Sequence, residues 1–312
     1  MKQRSVDHAG VHQPVLGTVV EVQITARSRR VAQRCERIAL AEIERLEDIF
    51  SVYRPHSELV ALRNGDVRSE WSEELCAVLS RAAHWQTVGA GVFNPNSGLL
   101  SRRWQRAEHE QVVPAQDELA ELAAAAAPTA YRVDGRRIDR LGDVSALNLN
   151  AFAKGWIVQR AADLVWDTGE VSRLMVNAGG DLVHLGDGSV RVGIEDPQRP
   201  YDNADLLMVV ELSNTGLATS GSSRRGFRVG DEWFSHVIDP RTGWPVARVL
   251  AASVIAPDAA TADVAATFAS VRTPAETLAC CEVEFGNGVG VCVVEASGTV
   301  HTNPTWQQRL VA

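Results

Sequence analysis

Cysteine is scarce in this chain. Its 312 residues hold five, at positions 35, 76, 280, 281 and 292. None forms a CxxC pair and no Cys/His spacing suits zinc, so neither a redox pair nor a zinc finger is written here. Cys280 and Cys281 are adjacent on a predicted helix and read as small buried apolar residues. Long apolar runs are also missing. No stretch approaches the roughly 18 residues of a membrane span. The opening MKQRSVDHAGVHQPVLG has no apolar core of a leader and no lipid-attachment cysteine, which leads us to expect a cytoplasmic protein. Positive charge is in deficit. Lys plus Arg number 31 against 39 Asp plus Glu, a formal charge of −8. Such a balance gains nothing from counterion release, so nucleic acid is not an expected partner. Several familiar motifs are absent: GxxxxGK[ST], GxGxxG after a strand, HExxH and GxSxG.

What is present is a core-forming chain, 45% hydrophobic, long enough for one large domain or two modest ones. VLGTVVEVQI (15–24) predicts a strand. Helical spacing predicts helices over 30–50, with Glu42 as a polar exception, and over 72–88. An alanine-rich helix over 117–127, exposed and stopped by Pro128, is expected next, then an amphipathic helix over 153–167. Strands are predicted over 173–176, 190–195, 206–212, 250–256 and 289–295, with helices over 260–270 and 274–282. The mixed order of elements favours an α+β architecture over a regular βαβ array.

Four stretches carry candidate chemistry. Asn177-Ala-Gly-Gly-Asp181 follows an apolar run, and its two glycines permit positive φ and close approach of a ligand; taken alone, the pattern reads first as a plain connecting turn. Lys154 lies at a helix start, where an anion is favoured and a lone lysine is not; the bland alternative is a solvated lysine. Asp263 and Thr267 are spaced i, i+4, so both oxygens leave one helix face as hard ligands suited to Mg²⁺; a capped helix whose Thr bonds its own backbone is the alternative. In FSHVIDPRTG, Pro240 ends pairing and Gly243 permits a turn, leaving His236 at a strand rim as a proton acceptor near neutral pH or as a satisfied structural histidine. Thr219-Ser220-Gly221 adds small hydroxyls upstream.

Taken in order, these pieces resemble the ApbE-type flavin transferases (FAD:protein FMN transferase). The matching stretches are VLGT at 15, FSVYRPHSELVALRNG at 50, FNPNSGLL at 93, LNLNAFAKGW at 147, VNAGGDL at 176, ATSG at 218, SHVIDPRTGWP at 235 and TADVAATF at 261. The resemblance implies an α+β, T-fold-like compact unit of mixed or antiparallel sheets with packed helices. It implies one domain over 1–312, with two subdomains and the FAD site between them as an option.

It further implies FAD as substrate and Mg²⁺ as cofactor, with FMN moved to a Thr or Ser of an acceptor flavoprotein and AMP released. His236 becomes the general base, and Asp263, Thr267 and the carbonyl of Ala151 the metal ligands. Leu16, Tyr53, Trp104, Asn148, Lys154, Asn177, Gly179, Gly180, Thr219, Ser220, Val237 and Asp239 become cofactor contacts. Three acids usual in the family are absent: Asn94, Asn148 and Gln159 stand at their positions. Two alternatives follow from those replacements and from the shared metal site, an FAD diphosphatase giving FMN and AMP and a non-catalytic FAD-binding protein.

Overall fold

The computed structural model describes residues 5–199, 205–222 and 225–311. The first four residues of the stretch read for a leader lie outside that range. In chain order the elements are β1 (Val6–Val15), β2 (Thr18–Ala26), α1 (Arg29–Phe50), α2 (Glu58–Arg63), α3 (Glu73–Val88), α4 (Gly98–Glu110), α5 (Gln116–Ala126), β3 (Tyr131–Asp134), β4 (Arg137–Arg140) and α6 (Ala153–Trp166). There follow β5 (Val171–Ala178), β6 (Asp181–Gly186), β7 (Val190–Glu195), β8 (Leu206–Leu212), β9 (Thr215–Gly221), β10 (Gly226–Val229), β11 (Glu232–Ser235), β12 (Val249–Ala256), α7 (Ala259–Val271), α8 (Pro274–Phe285), β13 (Gly290–Glu295), β14 (Val300–Thr302) and α9 (Pro304–Gln307).

Eight strands form one sheet in the order β1-β2-β5-β6-β9-β12-β13-β14, antiparallel at each neighbouring pair. The period-two pattern of a strand explains how both faces are used. Val254 joins a cluster with the alanines of α7, whereas the next residue, Ile255, joins a cluster with the β7–β8 ribbon and Trp306. On one face Val20, Val22 and Ile24 of β2 meet Cys35, Ile43 and Leu46 of α1 and Ile157, Val158 and Ala161 of α6. The architecture is therefore α+β, a single compact unit with helices on one face and a short ribbon on part of the other.

Local chemistry sets these elements. Ser28 caps α1, its hydroxyl accepting from the Val31 N–H at 3.4 Å. Glu42, the polar exception on that helix, is buried because its carboxylate takes a two-point hydrogen bond from Arg45 at 2.8 and 2.9 Å. Thr273 and Glu276 form a reciprocal capping box on α8.

Three expectations need correction. The predicted strand over 15–24 is broken, because Leu16 (φ 53°) and Gly17 (φ 66°) make the turn between β1 and β2. The alanine-rich helix is not simply exposed: Leu119, Ala123 and Ala126 are buried, and Leu119 and Ala123 share a cluster with Leu100 and Trp104 of α4. Of the adjacent cysteines only Cys281 is buried, Cys280 being partly exposed.

Candidate functional site

The site grows from the contact between α6 and α7. Gly155, third residue of α6, makes that contact possible. A Cβ there would press into the Ala259 carbonyl and stand 2.6 Å from the Asp263 Cβ. With no side chain in the way, the Gly155 N–H donates to Asp263 Oδ2 at 2.8 Å. Asp263 thus satisfies one of the free amides at the start of α6, which has no capping side chain of its own. One turn further along α7, the Thr267 hydroxyl donates to the Ala151 carbonyl at 3.1 Å. The three ligands expected from sequence, Ala151 O, Asp263 and Thr267, therefore meet at one place. Gly155→Ala is expected to force the helices apart and cost about 1–3 kcal/mol, read as a lowered midpoint in denaturant unfolding; an unchanged midpoint would show that the close approach is dispensable.

The β5–β6 turn brings the next groups. Gly179 (φ 59°) and Gly180 (φ 97°) occupy its two positions, and the Asn177 side chain accepts from the Gly180 N–H at 3.1 Å. Thr18 lies so close to Gly179 that a Cβ would be 3.0 Å from its Cβ, which sets the Leu16–Thr18 turn beside this one. Lys154 reaches across from α6. Its ammonium stands 3.1 Å from Asp181 Oδ2 and 3.5 Å from the Gly179 carbonyl.

Asp181 and Asp263 are both buried. Burial and the charge of Asp181 push Asp263 up to about 8, against the pull of Lys154 and the Gly155 N–H. Burial likewise raises Asp181, opposed by Lys154 and by the Thr219 amide. The Lys154 ammonium is thus paired directly with Asp181, while Asp263 takes the Gly155 N–H. Thr219 is exposed nearby on β9, its hydroxyl 2.8 Å from that of Ser253, and Ser220 follows half-buried.

His236 comes from the end of β11. Its Nδ1 lies 3.0 Å from the Arg225 carbonyl, and its own N–H donates to the same oxygen at 3.3 Å. A carbonyl only accepts, so Nδ1 must carry the hydrogen and Nε2 is left with its lone pair. The ring is exposed, yet burial of its inner side and the charges of Arg225 and Lys154 hold its pKa below 6.5. The Asp-Pro turn behind it is closed by its own hydrogen bonds. Asp239 accepts from the Arg241 N–H at 2.9 Å and pairs with its guanidinium at 2.8 Å, Gly243 takes φ 77°, and the half-buried Val237 donates its N–H to Ser235 Oγ at 2.9 Å. Asp239 therefore has its carboxylate committed to Arg241.

Trp104 is not placed as a flavin contact in this structure. It is fully buried, 4.7 Å from the Phe234 ring, and its indole N–H donates to the Gly243 carbonyl at 2.9 Å. It braces the Asp-Pro turn from beneath. Tyr53 is 83% exposed, three residues beyond Phe50, whose ring lies 5.8 Å from Trp156 in the first turn of α6.

The three residues standing for acids are each used by the fold. Asn94 donates to the Ala126 carbonyl at 2.9 Å and accepts from the Asn96 N–H at 2.8 Å. Asn148 accepts from the Asn150 N–H at 2.9 Å. Gln159 accepts from the Ala259 N–H at 2.9 Å and donates to Asp163 at 2.8 Å. Asn94 and Gln159 each use a donor as well as an acceptor, where a carboxylate would offer acceptors alone.

Sequence reasoning missed Asp181, Gly155 and Arg225 as site residues. Asp181 carried a signal as the acid that closes NAGGD before an apolar run. Arg225 contributes a backbone carbonyl, for which no side-chain pattern exists. The donor set at the α6–α7 contact fits a hard divalent cation: a carbonyl, a hydroxyl and a carboxylate, with anionic charge that one ammonium does not neutralise. Among the described residues no three His, Cys, Asp or Glu side chains are grouped to hold a metal, so an ion here would take its remaining ligands from water or a phosphate.

Comparison with known proteins gives a consistent result. The model of the ApbE family matches residues 16–292. A Vibrio cholerae protein named FAD:protein FMN transferase is 28% identical over 269 residues, covering 81% of this chain and 78% of that one. A Treponema pallidum protein of the same name is 29% identical over 286 residues, covering 81% and 75%. The crystal structure of the ApbE protein of Thermotoga maritima superposes with a TM-score of 0.83 at 22% identity, covering 99% of this chain and all of that one. Among the described residues no helix is long and apolar enough to cross a membrane.

Proposed function

The chain belongs to the ApbE family, and from that premise we propose that it is an FAD:protein FMN transferase that moves FMN from FAD to a Thr or Ser hydroxyl of an acceptor flavoprotein and releases AMP. The observation that supports this best is the convergence of Ala151 O, Asp263 and Thr267 at one helix contact.

Asp263, Thr267 and the Ala151 carbonyl would hold Mg²⁺. When bound, the ion supplies positive charge to the diphosphate as its bridging oxygen becomes the leaving group. The Lys154 ammonium neutralises a further phosphate oxygen. His236 Nε2 takes the proton of the acceptor hydroxyl while the Arg225 carbonyl holds the ring and stabilises the imidazolium that results. The acceptor oxygen forms a bond to the FMN-side phosphorus as the bond to AMP breaks. The Gly179–Gly180 turn, with Asn177, Leu16, Thr219, Ser220 and Val237 around it, forms the wall on which the cofactor is held, and Tyr53 is free to meet the flavin.

The test is incubation with FAD, Mg²⁺ and a synthetic threonine peptide. A peptide gaining the mass of FMN less one water, with equimolar AMP, supports transfer. Free FMN and AMP with unmodified peptide would make the protein a diphosphatase, and intact bound FAD would make it a carrier.

A pH dependence follows. The base must be neutral, and its surroundings favour the neutral form. At saturating Mg²⁺, which keeps Asp263 ionised, the rate should rise with pH through a midpoint below 6.5 and be flat from there towards pH 8. A midpoint above 6.5 would contradict His236 as the base in this environment.

A further inference from the structure

We infer that Asp181 is a positioning residue for the flavin chemistry and acts through Lys154; the inference rests on the transferase reading above. Asp181 opens β6 directly after the Gly179–Gly180 turn and is 1% exposed. It lies too deep to touch a substrate. Its Oδ2 has the Lys154 ammonium at 3.1 Å, and its carboxylate is otherwise met by the Thr219 amide.

Lys154 has reason to need such a tether. It stands at the second position of α6, where the helix dipole disfavours a cation. Its side chain is 31% exposed, and a lysine carries about 2 kcal/mol of rotamer entropy. Asp181 and the Gly179 carbonyl hold the ammonium at two points of one turn.

The residue type supports the same conclusion. Lys154 and Lys2 are the only lysines in a chain that otherwise uses arginine for positive charge. Arginine would form a planar fork with Asp181. Lysine offers a compact charge with three donors, which can keep one bond to Asp181, one to the turn and turn the third to a phosphate oxygen. The 31% of the Lys154 side chain that stays exposed leaves that third donor open to an anion.

The near absence of lysine makes the test clean. Reductive methylation of the substrate-free, metal-free protein can be followed by mass spectrometry at Lys154, with Lys2 as the internal control. In Asp181→Asn, which keeps the size and an acceptor oxygen, Lys154 should react at least about fivefold faster while Lys2 is unchanged. An unchanged Lys154 rate overturns the inference. The second arm is a double-mutant cycle on AMP release from FAD. Asp181→Asn and Lys154→Gln should each lower kcat more than they raise KM, and the double variant should be no slower than Lys154→Gln alone. Multiplying losses would mean that Asp181 acts by another route and would also overturn the inference. If the unaltered protein releases no AMP from FAD, the transferase reading fails, and the labelling arm still decides whether Asp181 holds Lys154.

Discussion

Asp263→Ala should remove FMN transfer, by at least roughly 10²–10³-fold, the range seen when one preorganised charge-stabilising group is taken from an active site. The residue carries the one carboxylate in the expected ligand set. Its side chain is buried, and burial and the charge of Asp181 push its pKa up to about 8, so that ionising it in the ligand-free protein is costly. A divalent cation reverses that cost. Loss of activity should not be loss of fold. Removing the carboxylate leaves the Gly155 N–H without its acceptor, a penalty of about 1–3 kcal/mol, but also relieves the repulsion with Asp181. Asp263→Asn separates the two effects: its amide oxygen can still accept from Gly155, so the unfolding midpoint should stay near that of the unaltered protein while transfer is lost. Asp263→Asn with full transfer would remove the metal assignment.

His236→Gln should slow transfer by about 10²–10⁴-fold, the span of general base catalysis, with FAD affinity changed little. The reason is geometric. Only Nδ1 is engaged by the protein, through the Arg225 carbonyl at 3.0 Å, and the rest of the ring faces outward. Glutamine can donate to that carbonyl but has no basic nitrogen. An exposed ring with one backbone bond contributes little to stability, so the midpoint should move by no more than about 0.5–1 kcal/mol. A collapse of FAD binding in this variant, measured by quenching of flavin fluorescence, would make the histidine a binding or structural group instead.

Much of the site was legible because its parts lie in short runs. Asp263 and Thr267 share a helix face by spacing alone, and Gly179 and Gly180 are demanded by a tight turn. What spacing could not show is the meeting of α6 with α7, some hundred residues apart, which depends on Gly155 having no Cβ. Trp104 was misread for a related reason. Its resemblance to a flavin contact was local, but the cluster that buries it adds Phe227, Phe234 and Trp244, far along the chain, to its neighbours Leu100 and Leu119.

The fold shows the same division. The buried central strand β12 and the helix α6 stand out by composition. β1 (VDHAGVHQPV) is a polar edge strand, β6 begins with an acid and carries a buried histidine, and β9 (TGLATSG) is built of small residues that suit a turn as well as a strand. Their pairing partners, not their own side chains, make them strands. α4 (GLLSRRWQRAEHE) is mostly charged, and only Leu100, Trp104, Ala107 and its first glycine are buried, too few to mark a core helix by periodicity.

The most direct measurement is the binding of Mn²⁺, as a spectroscopic stand-in for Mg²⁺, followed by electron paramagnetic resonance in the presence of FAD. One ion per chain should be bound by the unaltered protein and none at the same concentration by Asp263→Ala. Equal binding by both would mean that the junction of α6 and α7 is not where the cation meets the diphosphate.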